Sequence, residues 1–244
     1  MKYLSDLHTH TIVSGHAYNT LFENIDYCVE KGIKILGTSE HGPKMPGAPH
    51  RWYFGNLRVL PRVIKGVTIL KGCEANILDS TGKLDMNEHD ARSLDYMIAS
   101  LHEPIFDTSS PAEETTAAML NAIDYNPLVT IVGHLGNPVY EIDYEAVVKK
   151  AKEKDIIIEI NNSSMTGSSR KGSDGNCKKI AQLCKEYGTK IMLNSDAHIC
   201  FNIGAFDESI EMLKSIDFPE ELIMNDPEKL IPFLKKKGRL KDIK

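Results

Sequence analysis

Positive charge is in deficit along this chain of 244 residues: 29 Lys and Arg stand against 34 Asp and Glu, a formal net charge of −5. The excess of cations that nucleic-acid binders carry is missing, which argues against a nucleic-acid partner. Small anionic ligands stay open, because a few local cations outweigh a mildly acidic surface. Cysteine is sparse: five residues, an odd number, with no CxxC pair. That argues against a disulfide framework and fits reduced thiols in a cytoplasmic protein. Cys177 and Cys184, seven apart, would share a helix face, and Cys73 reads as a buried strand residue. No apolar run approaches membrane-spanning length. The opening MKYLSDLHTHT lacks the continuous apolar stretch of a signal peptide. Low-complexity segments, short-period repeats and dividing linkers are absent too. The expectation is one soluble domain over residues 1–244, and no pattern specifies an oligomeric state.

Present instead is an ordinary globular composition, 41% hydrophobic and 26% charged, arranged in alternating periods. Seven apolar runs of strand length, YLSDLH, KILGTSEH, VTILKGCE, YMIASLH, VTIVGHL, IIIEINN and KIMLNSDAH, are spaced by helical segments. Helices are expected over 21–31, 56–64, 112–125, 144–154, 176–187 and 226–237. Asp143 and Asp174 suit helix starts, and Gly32 and Gly188 suit helix ends. The basic end KKKGRLKDIK reads as a solvated tail. Strict β-then-α order with near-continuous apolar strands predicts an α/β fold with a parallel sheet covered by helices. Seven unbroken repeats favour closure into a TIM-like barrel over an open sheet.

The polar residues fall in register with that pattern. His8 and His10 end the first run, His41 the second, Glu74 the third, His102 the fourth and His134 the fifth. Asp196 and His198 follow the last, and His16 lies in the first loop. Seven of the nine histidines therefore collect at strand C-termini; only His50 and His89 do not. In a parallel barrel or sheet those ends share one face, where sites are built. Alternate residues of a strand point the same way, so His8 with His10, and Asp196 with His198, can each face one point. Imidazoles with two carboxylates suit a borderline divalent ion: zinc first, manganese or iron also. Nine candidate ligands exceed the four of one tetrahedral ion. Glu74 and Asp196 are natural bridges in a multinuclear cluster, with ions about 3.5–4 Å apart.

DLHTHT, SGHA, TSEHG, GCEANI, ASLHE, GHLGNP and NSDAH, in this order and spacing, resemble the PHP (polymerase and histidinol phosphatase) family, and within it the small YcdX-type phosphatases. The resemblance runs from residue 6 to about 200. It implies a distorted (β/α)7 barrel, three divalent metal ions and phosphoesterase activity. It also implies a grouping: His8, His10, Glu74 and Asp196 on one ion, His102 and His134 with Glu74 on a second, and His16, His41 and His198 on a third.

Two loops complete the reading. PGAPHRWYF (46–54) resembles the substrate-side loop of such proteins, which offers His50 and Arg51 to substrate, with His50 as proton donor to a leaving group. NNSSMTGSSRKGSDGN (161–176) offers Arg170 and Lys171 to a phosphate, a guanidinium matching phosphoryl oxygens bidentately. The expected reaction is hydrolysis of a small phosphorylated metabolite by water activated on a divalent ion, with Asp196 orienting or deprotonating that water. A phosphodiesterase or exonuclease, a histidinol-phosphate phosphatase, an amidohydrolase and a non-catalytic metal binder are the alternatives.

Overall fold

The apolar runs do become strands, and among the described residues every strand-to-strand pairing but that of Val63–Ile64 with Val67–Lys71 is parallel. The computed structural model describes residues 3–167, 170–240 and 242–243. One sheet contains β1 (Ser5–Asp6), β2 (Ile35–Thr38), β3 (Val63–Ile64) and β4 (Val67–Lys71) in the order β1-β2-β4-β3. The other runs in sequence through β5 (Glu74–Asn76), β6 (Met97–Ser100), β7 (Val129–Val132), β8 (Ile157–Asn161) and β9 (Ile191–Asn194). Among the described residues no sheet is closed. The expected continuous barrel is instead two sheets, whose seams each carry a single parallel bridge, Thr9↔Ala197 and His41↔Glu74.

The third run, VTILKGCE, breaks at Gly72–Cys73: β4 pairs with β2, and β5 with β6. Tyr96 sits at that break. Its ring lies so close to Gly72 that an added Cβ would meet it at 2.3 Å, and a Cβ on Gly37 would meet its hydroxyl at 2.1 Å. The hydroxyl donates to the Leu7 carbonyl at 2.5 Å. The chain changes sheets where this buried phenol fills the space a side chain would need.

Both faces of the strands are buried, as continuous apolar runs require. Leu7, Ile35, Leu70, Tyr96, Ile98, Ile131, Ile157 and Met192 form an inner cluster. Their neighbours Met97, Val132, Ile158 and Leu193 point the other way, into an outer cluster, the period of two expected of strands. Each such buried side chain contributes about 1.5–3 kcal/mol relative to exposure.

The helices are α1 (Leu21–Lys31), α2 (Trp52–Asn56), α3 (Ala112–Tyr125), α4 (Tyr144–Glu153), α5 (Ser163–Thr166), α6 (Ser173–Tyr187), α7 (Asp207–Lys214) and α8 (Pro227–Lys236). Thr20 and Glu23 form a capping box on α1, Asp143 accepts from Ala146 N–H at 3.0 Å to cap α4, and Gly32 and Gly188 end their helices at positive φ. The outer cluster takes Met119 of α3, Val147 of α4 and Ile180 of α6, while Leu230, Phe233 and Leu234 of α8 cover the inner one.

The helix expected over 56–64 is not formed. A 3₁₀ turn (Leu57–Val59) leads into β3, which makes a hairpin with β4 through Lys65 and Gly66, both at positive φ. Two such residues between β-branched runs define a tight hairpin turn. The basic end is only partly solvated, since Leu240 is buried in the inner cluster. Lys241 and Lys244 of that end, and Ser168 and Ser169 of the 161–176 loop, lie outside the described residues. All five cysteines are free and buried. Among the described residues no helix is long and apolar enough to cross a membrane.

Gly72→Ala is expected to lower the unfolding free energy by about 1–3 kcal/mol by overpacking against Tyr96, read as an earlier midpoint in urea. An unchanged midpoint would show that the ring can yield.

Candidate metal centre

The parallel strands deliver their C-terminal ends to one place, and all nine candidate ligands meet there. Glu74 opens β5 rather than closing β4, and its carboxylate is the hub. Its Oε2 lies 3.3 Å from His8 Nε2, 3.6 Å from His10 Nε2 and 2.7 Å from His41 Nδ1. Its Oε1 lies 3.1 Å from His102 Nε2 and 2.7 Å from His134 Nε2. Asp196 Oδ1 is 3.4 Å from His8 Nε2 and 3.2 Å from His10 Nε2. His16 Nε2 stands 3.2 Å from His41 Nε2 and 3.0 Å from His198 Nε2.

Two properties fit this set to divalent ions. Donors bound tetrahedrally at 2.0–2.1 Å stand about 3.3 Å apart, close to these separations. Further, six converging atoms are buried without any hydrogen-bond partner: His8 Nε2, His10 Nε2, His41 Nδ1, His102 Nε2, Glu74 Oε2 and Asp196 Oδ1. Buried polar atoms in native proteins are nearly always satisfied, and a cation is the partner that lone pairs of both kinds accept. His10, His41 and His198, then His8, His10 and Glu74, then His41, Glu74 and His102 each gather within ion-binding reach.

Electrostatics sort the protonation states. Burial opposes charge on His8, but Glu159, Asp196 and Glu74 hold its pKa well above the usual 6.5. Burial and the neighbouring His41 and His198 push His10 well below it. Burial and the Arg170 guanidinium take His134 down to about 4. Burial also opposes ionisation of the two carboxylates. Imidazoles around Glu74, and His8 with Arg170 beside Asp196, nevertheless hold both well below the ordinary range. His134 and Asp196 have positive φ, 23° and 55°, a sparsely populated conformation that clusters at functional sites.

Arg170 reaches the cluster, its Nη1 donating to Asp196 Oδ2 at 2.8 Å. Lys171 is exposed. His50 and Arg51 are not brought to the nine. The exposed His50 ring packs on Trp52 at 5.4 Å and its Nδ1 accepts from Trp52 N–H at 3.3 Å. Arg51 lines a neighbouring groove of about 1100 Å³ with Trp52, Arg58 and Arg92.

A supporting layer escaped the sequence reading. Glu159 faces His8 Nδ1 at 2.7 Å, and Asn76 Oδ1 faces His102 Nδ1 at 2.7 Å. Ser14 Oγ donates to Glu40 Oε2 at 2.6 Å and lies 3.5 Å from His10 Nδ1. The available signal was a charged residue inside an apolar run, as in IIIEI, and in TSEH beside a ligand.

A family model described as the PHP domain matches residues 6–163. A probable phosphatase of Clostridium acetobutylicum is 59% identical over 243 residues, covering 99% of this chain and 98% of its own length. A probable phosphatase of Clostridium novyi is 59% identical over 244 residues, covering 100% and 99%. Among solved structures, a histidinol phosphate phosphatase from Lactococcus lactis, complexed with zinc, L-histidinol and phosphate, superposes with a TM-score of 0.59 at 14% identity, covering 89% of this chain and 95% of its own. The class these findings define is a phosphatase among the hydrolases. The chain belongs to the PHP domain family.

The carboxylates that raise the His8 pKa favour a proton on its ring, and zinc binding at Nε2 competes with that proton. Calorimetric titration in buffers of different ionisation enthalpy is expected to show proton release. Affinity should rise with pH until the raised His8 pKa is passed. Binding without proton release would contradict the charge assigned to His8.

Proposed function

We propose that this chain hydrolyses small phosphomonoesters with three divalent ions, zinc first and manganese or iron as alternatives, held by the nine residues in the groups described above. The observation that carries the reading is the convergence of four buried, unpartnered imidazole nitrogens on the carboxylates of Glu74 and Asp196, whose Oε2 and Oδ1 are buried and unpartnered as well. The seam bridges Thr9↔Ala197 and His41↔Glu74, with an inner cluster drawing on seven strand segments, support reading the two sheets as one distorted (β/α)7 barrel. One domain and a cytoplasmic location belong to the same reading, in keeping with five free thiols.

Bound divalent ions supply Lewis acidity, neutralising phosphoryl charge and lowering the pKa of water. The chain's own groups do the rest. Glu74 and Asp196 provide the anionic charge that draws cations to the site. His16 is exposed and His198 partly so, whereas His8, His10 and Glu74 are sealed; substrate therefore enters past His16 and His198. Arg170 directs positive charge along Asp196, in position to take a phosphoryl oxygen through its remaining N–H groups. Asp196, its Oδ2 occupied by Arg170, keeps Oδ1 toward the cluster, where it orients or deprotonates the attacking water. His50 and Arg51 meet the substrate from the rim loop beyond the phosphate, with His50 as proton donor to the leaving group. The zinc, histidinol and phosphate of the Lactococcus structure support a small substrate, and selective turnover of histidinol phosphate would narrow the assignment to that compound.

An aryl phosphate assay of the zinc- or manganese-loaded chain is the test. His10→Ala and Asp196→Asn are each expected to lower kcat/KM by about 10²–10⁴-fold, and exhaustive chelation to abolish turnover. Equal rates in all three proteins would sink the reading. Faster cleavage of an oligonucleotide than of any monoester would redirect it to phosphodiester chemistry.

A further inference from the structure

Glu159 lies in β8, outside the nine, and its side chain is sealed from solvent. Four nitrogen groups converge on its two oxygens. Oε1 faces the His8 ring Nδ1 at 2.7 Å and accepts from the Asn194 amide at 2.9 Å. Oε2 accepts from the His134 backbone N–H at 2.7 Å and from the Asn161 amide at 3.1 Å. The Asn194 amide cannot turn over freely, because its Oδ1 accepts from Leu7 N–H at 3.0 Å.

We propose that Glu159 is the positioning residue that aligns His8 and His134, and through them two of the three ion-binding groups; this rests on reading both imidazoles as ligands. An ionised carboxylate only accepts hydrogen bonds, so it obliges His8 Nδ1 to carry a proton. In neutral His8 the Nε2 lone pair then points at Glu74 Oε2 and Asp196 Oδ1, 3.3 and 3.4 Å away. At His134 the same carboxylate acts through the main chain. It holds the N–H of a residue at φ 23°, and that turn aims Nε2 at Glu74 Oε1, 2.7 Å away. His16, His41 and His198 take no bond from Glu159, so their group is independent of it.

Glutamine is no substitute, because four donors need a group that accepts on both sides. With its oxygen toward His8, the glutamine amide nitrogen confronts the His134 N–H and the Asn161 amide. Turned over, that nitrogen confronts Asn194 and donates to His8 Nδ1, which favours the tautomer with a proton on Nε2, where the ligand lone pair should be.

Zinc titration of the full chain with chelator competition compares the wild type with Glu159→Gln, and His16→Ala in each background identifies the third group. The expected result is a loss of affinity of about 10–100-fold at the His8 and His134 groups, with the third group unchanged. Unchanged affinity at all groups overturns the proposal. An equal loss at all groups also overturns it, since that marks a general structural role. Should Glu159→Gln fail to fold, long-range ¹H–¹⁵N spectra of the zinc-loaded wild type decide: His8 with Nδ1 protonated and Nε2 bound supports the alignment, and an unprotonated Nδ1 overturns it. A wild-type chain that takes up no zinc would overturn the metal-centre reading itself, and this inference with it.

Discussion

The Glu74 carboxylate is the constraint on which the rest of the site depends. It is fully buried, and five imidazoles from four strand ends lie within 3.6 Å of its oxygens. An isolated buried carboxylate costs several kcal/mol, so a structure that keeps Glu74 ionised must bring positive charge or cations to it. Its backbone is held equally firmly. Glu74 N–H donates to the Glu40 carbonyl at 3.0 Å, and its own carbonyl accepts from Gly42 N–H at 2.7 Å. Those bonds stitch the start of β5 to the end of β2, across the seam between the sheets. The break at Gly72, made possible by Tyr96, is thus what delivers the carboxylate to the centre.

Around the hub lies a layer of groups that accept from or face the candidate ligands without joining them. Glu40 takes Thr11 Oγ1 at 2.6 Å, Thr11 N–H at 3.1 Å and Ser14 Oγ at 2.6 Å, which fixes the loop after β1 against the loop after β2. Asp6 takes Ser195 Oγ at 2.5 Å and Gly204 N–H at 2.9 Å, tying the segment that carries Asp196 and His198 back to β1; burial raises its pKa to about 6. Glu159 and Asn76, which face the outer ring nitrogens of His8 and His102, are partners of the kind that orient imidazoles and set their tautomers. The layer is built from both halves of the chain, so the site exists only when both sheets are in place.

Rigidity and openness are divided between the two ends of the strands. The end under α8 is closed by the apolar side chains of Leu230, Phe233 and Leu234. The opposite end carries the positive-φ residues His134 and Asp196 and the more exposed imidazoles. Strained, polar geometry is tolerated there because well-capped helices and a two-faced apolar core hold the scaffold beneath it.

Much of the site was legible in the one-dimensional pattern. Alternation of side chains along a strand, and the rule that parallel strands present their C-terminal ends together, are local and topological. They assembled His8, His10, His41, Glu74, His102, His134, Asp196 and His198 without knowledge of any contact. Helix limits marked by caps, as at Thr20, Gly32, Asp143 and Gly188, were legible for the same reason. Tertiary structure alone decided the rest. The run VTILKGCE reads as one strand, yet a tyrosine more than twenty residues further on divides it between two sheets. Residues 56–64 carry a helical pattern, but the Lys65–Gly66 turn and pairing with β4 draw Val63 and Ile64 into a hairpin. The role of Glu159 was not legible, because three of its four partners, His8, His134 and Asn194, come from strand ends that are distant in sequence. His50 and Arg51 sit in a loop whose path depends on packing rather than on period. Periodicity along the chain was enough to set which residues face the strand ends. Which of them are held, by what, and in which tautomer was decided only when long-range burial brought their partners within hydrogen-bonding distance.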